Sequence, residues 1–411
     1  MIDTPPPRRV LPPLGLAVCL SLFGDLTLFA VLVSQLDVVG LTLGAAGVML
    51  GIHRLIRIAG NPVAGLLYDR WGRRPLFLAG MLLAVLSTTS YGLVRGFWPF
   101  LVARLVWGLA WMLINVGGMT MVLDVSTPAS RGRWMGIYNT WLIAGLALGP
   151  MVGGFLVDTI GYRPGILTCA GITATGLAVA LIGLPETDPA RPTDPEDTWL
   201  ITAGNPLHRW AGLLRANTGL LPALALYLIV QFTGEGVVLS TASLLLQQRF
   251  GERVALGGLV LGVASAGGLI LGLRSLLAGT AGPLAGSLSD ARAARGPVIA
   301  GGLVAGLAGF GLMAYATPLA LIILGVALGA AGSGAVLATL AALVGDLTPP
   351  GRQGEVMGLY AAAGDVGSTA GPFLAFAMVT VIDLQWVYLV CSVAFLIGLG
   401  LIWSYGRAQS N

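Results

Sequence analysis

The chain has 411 residues, of which 56% are hydrophobic and 10% charged. With a mean hydropathy of +0.87 it lacks the polar surface that a soluble globule of this size shows to water, so it is read as an all-α integral membrane protein. All 22 basic residues are arginine, which excludes a Walker A lysine and a lysine Schiff base, and the net charge of +4 is read as a topology signal rather than as a nucleic-acid footprint.

In chain order, the opening "MIDTPPPRRVLPPLG" is proline-rich and no small-residue cleavage site follows the first apolar run, so the first helix is expected to stay attached. Apolar runs between charged or Pro/Gly punctuation predict about twelve spans, beginning near residues 14, 42, 75, 97, 133, 164, 219, 255, 296, 318, 355 and 385. The first carries Asp25, with Ser21, Leu32 and Gln35 on the same helical face. The second carries Arg54 and Arg57, at i and i+3, which face either an anionic substrate group or another helix. His53 beside them is read as a packed or water-facing side chain. Arg104, Gly108, Trp111 and Asn115 line one face of the fourth span; Tyr227, Gln231 and Glu235 line one face of the seventh. Arg274 lies in the eighth span and Asp365 in the eleventh. Ionisable groups at such depth are costly and mark a pathway, a proton relay or a structural pair. Strand-type alternation is absent throughout. Cys19, Cys169 and Cys391 are widely spaced and no HExxH pair exists, so neither a metal nor a cofactor is expected.

Arginine at the membrane ends favours the cytoplasmic side. Under twelve spans, fourteen arginines from Arg8 to Arg407 share one side, against Arg95, Arg163, Arg249 and Arg253 on the other. This puts both termini in the cytoplasm, together with the polar segment 185–218, where Asn205 and Pro206 could open a surface helix containing Trp210. The chain also repeats itself. "GNPVAGLLYDRWGRR" (Gly60 to Arg74) is echoed by "AGPLAGSLSDARAAR" (Ala281 to Arg295), and Asp124 to Pro150 by Asp346 to Pro372. In the second echo Gly136/Gly358, Tyr138/Tyr360, Gly145/Gly367, Gly149/Gly371 and Pro150/Pro372 coincide at an offset of 222. The reading is two parallel six-helix bundles, 1–184 and 219–411, joined by the linker 185–218, with substrate bound where the halves meet.

These residues resemble the major facilitator superfamily over essentially the whole chain. "GLLYDRWGRR" is similar to the family's loop motif after helix 2, with Gly65, Leu67, Asp69, Arg70, Gly72, Arg73 and Arg74 in place. The second copy keeps Gly286, Leu288 and Asp290 and loses the glycine and arginine spacing that follows. The resemblance implies a cytoplasmic latch that holds the halves together in the outward-facing state. Gly65 would allow close helix approach, and Asp69 would sit among arginines near a helix N-terminus. "GIYNTWLIAGLALGPMVGG" is similar to the antiporter motif of the drug:proton exchangers, through Gly136, Gly145, Gly149, Pro150, Gly153 and Gly154. Its glycines would let a partner helix pack close and its proline would kink the helix.

"RLVWG" resembles the family's helix 4 motif with Trp107 in place of a glutamine, which implies proton coupling at Arg104, with Asp25 its natural partner. An acid beside an arginine favours its charged form, and once separated and desolvated it takes up a proton. The coupling set is therefore Asp25, Arg104, Glu235 and Asp365. The cavity set is Arg54, Arg57, Trp111, Asn115, Tyr227 and Gln231. The function implied is proton-coupled efflux of small amphipathic compounds by a monomer in the bacterial inner membrane, with uptake symport or facilitated passage of a small metabolite as the alternative. The partners are a small molecule, protons and the bilayer.

Overall fold

The computed structural model describes residues 5–127, 130–187, 214, 217, 219–256, 258–291, 295–348 and 352–410. Among these, twelve long helices follow one another: α1 (Pro7–Val31), α2 (Leu43–Trp71), α3 (Arg73–Leu93), α4 (Phe97–Asp124), α5 (Arg131–Ile160), α6 (Tyr162–Gly183), α7 (Leu220–Phe250), α8 (Val263–Ala291), α9 (Arg295–Tyr315), α10 (Leu319–Leu347), α11 (Gln353–Val379) and α12 (Leu384–Ser410). Ten are long and apolar enough to cross a membrane. The other two, α2 and α11, have the length, but His53, Arg54 and Arg57 interrupt one apolar run and Asp365 the other.

Helix starts fall close to the expected ones, with two exceptions that have local causes. The first helix begins at Pro7 rather than near residue 14, because proline suits the first helical position, where its missing N–H is needed by nobody. The eighth begins at Val263 rather than near 255, because a hairpin precedes it: β1 (Arg253–Leu256) pairs antiparallel with β2 (Leu259–Gly262), Leu256 opposite Leu259. Strand structure was not expected here. Gly258, directly before β2, adopts φ +90°, a conformation open to glycine. In α7, the segment Phe232–Val238 is wound as a wider π-helix, as single turns of this kind often are near functional side chains.

The chain forms two compact units: Met1–Ile201 with Ala242–Gly272, and Thr202–Thr241 with Leu273–Asn411. In the first, α1 packs on α5 and α6, and α4 packs on α2 and α3. α1 is the innermost, buried along nearly its whole length. In the second, α7 packs on α11, α10 and α12, and α9 on α10 and α12. The duplication is visible in the packing itself. Gly145 of α5 lies against α1, where a Cβ would come 2.8 Å from the Cys19 carbonyl; its repeat partner Gly367 of α11 lies against the Leu228 carbonyl of α7. Likewise a Cβ on Gly149 would meet the Leu22 carbonyl at 3.1 Å, and one on Gly371 the Phe232 carbonyl at 2.7 Å. Glycine lets the two backbones touch, which is how helices associate where lipid removes the hydrophobic drive. The expected surface helix near Trp210 lies outside the described residues.

Candidate functional site

Asp25 and Arg104 come together inside the first unit. Arg104 is fully buried and Asp25 nearly so, and Arg104 Nη1 donates to Asp25 Oδ1. The same nitrogen donates to the Tyr91 hydroxyl of α3 at 3.2 Å, and Nε donates to the Met49 carbonyl of α2 at 2.6 Å. Nη2 lies 2.6 Å from His53 Nδ1. The Phe29 ring covers the group, its centroid 6.0 Å from the Arg104 guanidinium carbon and 5.9 Å from that of Arg54. Three helices besides its own thus hold one guanidinium. His53 was expected to be a packed or water-facing side chain. It is buried, and it serves as a direct partner of Arg104. Arg54 is buried beside it and Arg57 half-buried. On α4, Trp111 and Asn115 are half-buried, and Trp111 stacks on Trp107 at 6.2 Å.

In the second unit Arg274 Nη2 donates to Glu235 Oε1 at 2.8 Å, with Glu235 on the π-wound turn of α7. Tyr227, one of the expected cavity residues, stacks on Tyr360 of α11 with 3.7 Å between ring centroids. Gln231 is half-buried on the next turn, and Asp365 is buried on α11. Of the four residues expected to couple protons, Asp25 and Arg104 pair with each other in the first unit, whereas in the second Glu235 pairs with Arg274, which was not in that set, and Asp365 is buried on α11.

The arginine loop draws its contacts from the end of α4 and the segment after α6. Gly72 ends α2 and starts α3 with φ +81°, so a single glycine joins two long helices. Arg73 Nε donates to Asp124 Oδ2 at 3.1 Å. The Glu186 carboxylate accepts the backbone N–H of Arg73 at 3.0 Å and of Arg74 at 3.1 Å, so it caps the start of α3, where a negative charge is favoured. Arg74 Nη2 donates to the Leu181 carbonyl at 2.7 Å, and Thr187 Oγ1 donates to Asp124 Oδ2 at 3.1 Å. Arg73 and Arg74 are thus engaged inside their own unit. Arg70 is exposed, and the side chain of Asp69 lies outside the described residues. Glu186 escaped the sequence reading, although it is an acid directly after α6.

The second copy is better preserved than its spacing suggested. Arg295 stands 222 residues after Arg73, and it donates to Asp346, the repeat of Asp124, at 3.2 Å, as well as to Asp290 at 2.5 Å. Two of the expected glycine contacts are corrected. A Cβ on Gly65 or on Gly136 would meet nothing within 4 Å among the described residues. At Gly65 the packing into the bundle is done by Ala64 and by Tyr68, whose hydroxyl donates to the Leu113 carbonyl at 2.8 Å. Gly136 lies before the stretch of α5 that meets α1. Further along α5, Gly153 faces the Thr27 side chain and Gly154 the Ala264 carbonyl of α8, both within the first unit, and Pro150 lies inside the helix.

Among the described residues, twelve long helices in two similarly wired bundles, each holding an arginine–carboxylate pair, have the architecture of a multi-pass membrane transporter. The profile of the Major Facilitator Superfamily matches residues 14–275 and 264–410, and the chain belongs to that family. It is 27% identical over 366 residues to the class G tetracycline resistance protein of Vibrio anguillarum, covering 87% of both chains. Over 120 residues, 29% of each chain, it is 32% identical to the multidrug resistance protein MdtG of Dickeya zeae. Its fold is similar to that of the human organic anion transporter MFSD10, with a TM-score of 0.67 and 21% identity over 97% of this chain and 100% of that one.

Proposed function

We propose that this transporter exports small amphipathic compounds in exchange for protons, by alternating access of its two bundles, as a monomer in the bacterial inner membrane with both termini in the cytoplasm. The observation that carries the reading is the Asp25–Arg104 pair, a carboxylate and a guanidinium that share a site closed to water. Burying two charges is expensive, and the pair holds only while both partners stay together. A proton arriving on Asp25 cancels its charge and releases the guanidinium; its departure restores the pair. That change of charge couples a proton gradient to a change of shape. Asp25 is the proton carrier in this reading, and Glu235, whose carboxylate is more accessible, is a second exchange point. The relatives named for tetracycline and multidrug resistance support an exported, amphipathic cargo. The linker 185–218 joins the bundles 1–184 and 219–411. The arginine loop of Asp69, Arg70, Arg73 and Arg74, with Asp290 in the second copy, acts as the cytoplasmic latch, and Arg54, Arg57, Trp111, Asn115, Tyr227 and Gln231 face the cargo.

Reconstitution tests the reading. In proteoliposomes with an imposed proton gradient, Asp25→Asn is expected to lose gradient-driven efflux while retaining substrate exchange without a gradient, and Glu235→Gln to retain part of the driven flux. Undiminished driven efflux in both would remove these carboxylates from the mechanism. In everted vesicles, adding substrate should alkalinise the acidified lumen; unchanged lumenal pH during substrate movement would identify a facilitator instead.

A further inference from the structure

His53 lies one helical turn beyond Met49 on α2, and both reach the same cation: the Met49 carbonyl accepts from Arg104 Nε, and His53 Nδ1 lies 2.6 Å from Nη2. A guanidinium keeps its proton inside proteins and has no acceptor. At this distance His53 Nδ1 therefore accepts, and the ring is neutral with its single proton on Nε2. A second proton would set N–H against N–H and cation against cation. Arg54 and Arg57, on the same helix, add to that repulsion. The other groups facing the imidazole are Phe29 of α1, edge-on at 6.3 Å, and, through Arg104, Asp25 of α1 and Tyr91 of α3.

Among these partners His53 has a distinct task. When Asp25 is protonated it turns from an ionic acceptor into a weaker neutral one, and a buried guanidinium that loses an acceptor pays heavily. The imidazole holds the second amino group of Arg104 whether or not Asp25 is charged. We infer that His53 is a positioning residue for proton exchange at Asp25: its Nδ1 keeps Arg104 seated while the carboxylate changes charge. The inference rests on Asp25 being the proton carrier.

The test compares three variants in proteoliposomes by the pH dependence of proton-driven efflux. His53→Asn puts an acceptor oxygen near the place of Nδ1 and should keep the wild-type profile. His53→Phe keeps the bulk without the acceptor, and His53→Gln moves the acceptor toward the place of Nε2. In both, Nη2 of Arg104 loses its acceptor and the guanidinium leans harder on Asp25, more acid is needed to open the pair, and the acid midpoint should move down by about one pH unit, a tenfold change in proton concentration. Unmoved midpoints in His53→Phe and His53→Gln would overturn the inference, whatever happens to thermal stability. Loss of coupling in His53→Asn equal to that in His53→Phe would overturn it too, since the ring itself would then carry the proton. Asp25→Asn serves as the control: if it still couples protons, the underlying reading fails, and that failure is seen separately. One measurement needs no variant of the site. The chain has two histidines, so in protein labelled with nitrogen-15 histidine, with His208 assigned by His208→Gln, the His53 signal should show an unprotonated Nδ1 and a protonated Nε2 at neutral pH. A protonated Nδ1 would overturn the assignment.

Discussion

In the first unit Asp25 keeps 6% of its side-chain exposure and Arg104 none; in the second Glu235 keeps 35% and Arg274 7%. The same chemical pairing is therefore sealed in one bundle and partly exposed in the other. A sealed pair cannot trade protons unless something around it moves, so its charge is tied to conformation. A partly exposed pair is less tied to what surrounds it, and its attraction is weakened as far as water reaches it. Two acids that look alike in sequence thus stand in different surroundings.

The comparison can be broken most forcefully at Arg104. Arg104→Met leaves Asp25 buried without its cation, and breaking such a pair costs about 3–5 kcal/mol. Thermal unfolding of the purified protein should show a large loss that Asp25→Leu in the same chain partly restores; a loss unrelieved by the second change would mean that the guanidinium serves packing alone. Overpacking the repeated glycines comes next. Gly145→Val and Gly367→Val each press a branched side chain onto a carbonyl of α1 or α7, for about 1–3 kcal/mol of destabilisation, equal in the two units if the duplication preserved the contact. Clearly unequal losses would show that one bundle tolerates separation of these helices. Glu235→Gln should lower the unfolding temperature little, its pair contributing on the order of 0–1 kcal/mol, and a drop as large as that of Arg104→Met would erase the distinction between the pairs. The smallest effect is expected at Gly65→Ala, which meets open space within its unit and gains helix propensity of about 0.5–1 kcal/mol. If efflux falls while stability rises, Gly65 serves the transport cycle rather than the bundle.

Much of this architecture was legible from sequence, because helix ends are local events. Apolar runs stop at Gly72, Gly96 and Gly161, and the helices stop with them. The hairpin before α8 was hidden inside an apolar stretch, its one signal being Gly257–Gly258. The Asp25–Arg104 pair could be anticipated from the motif around Arg104, whereas His53 could not, since a contact 51 residues apart depends on how α2 and α4 lean together. Glycine spacing announces that close approach is allowed, not that a neighbour arrives, which is why Gly145 and Gly149 fulfil the pattern and Gly65 and Gly136 do not. The Arg295–Asp346 contact was obscured by a short shift in spacing that folding absorbs.

The wide turn Phe232–Val238 gives α7 a seam. A helix wound this way can drop one residue there and close as ordinary α-helix, while its stretches on either side keep their neighbours. A lineage can therefore revise the aim of a single carboxylate, Glu235, by a one-codon deletion without redrawing the rest of the bundle.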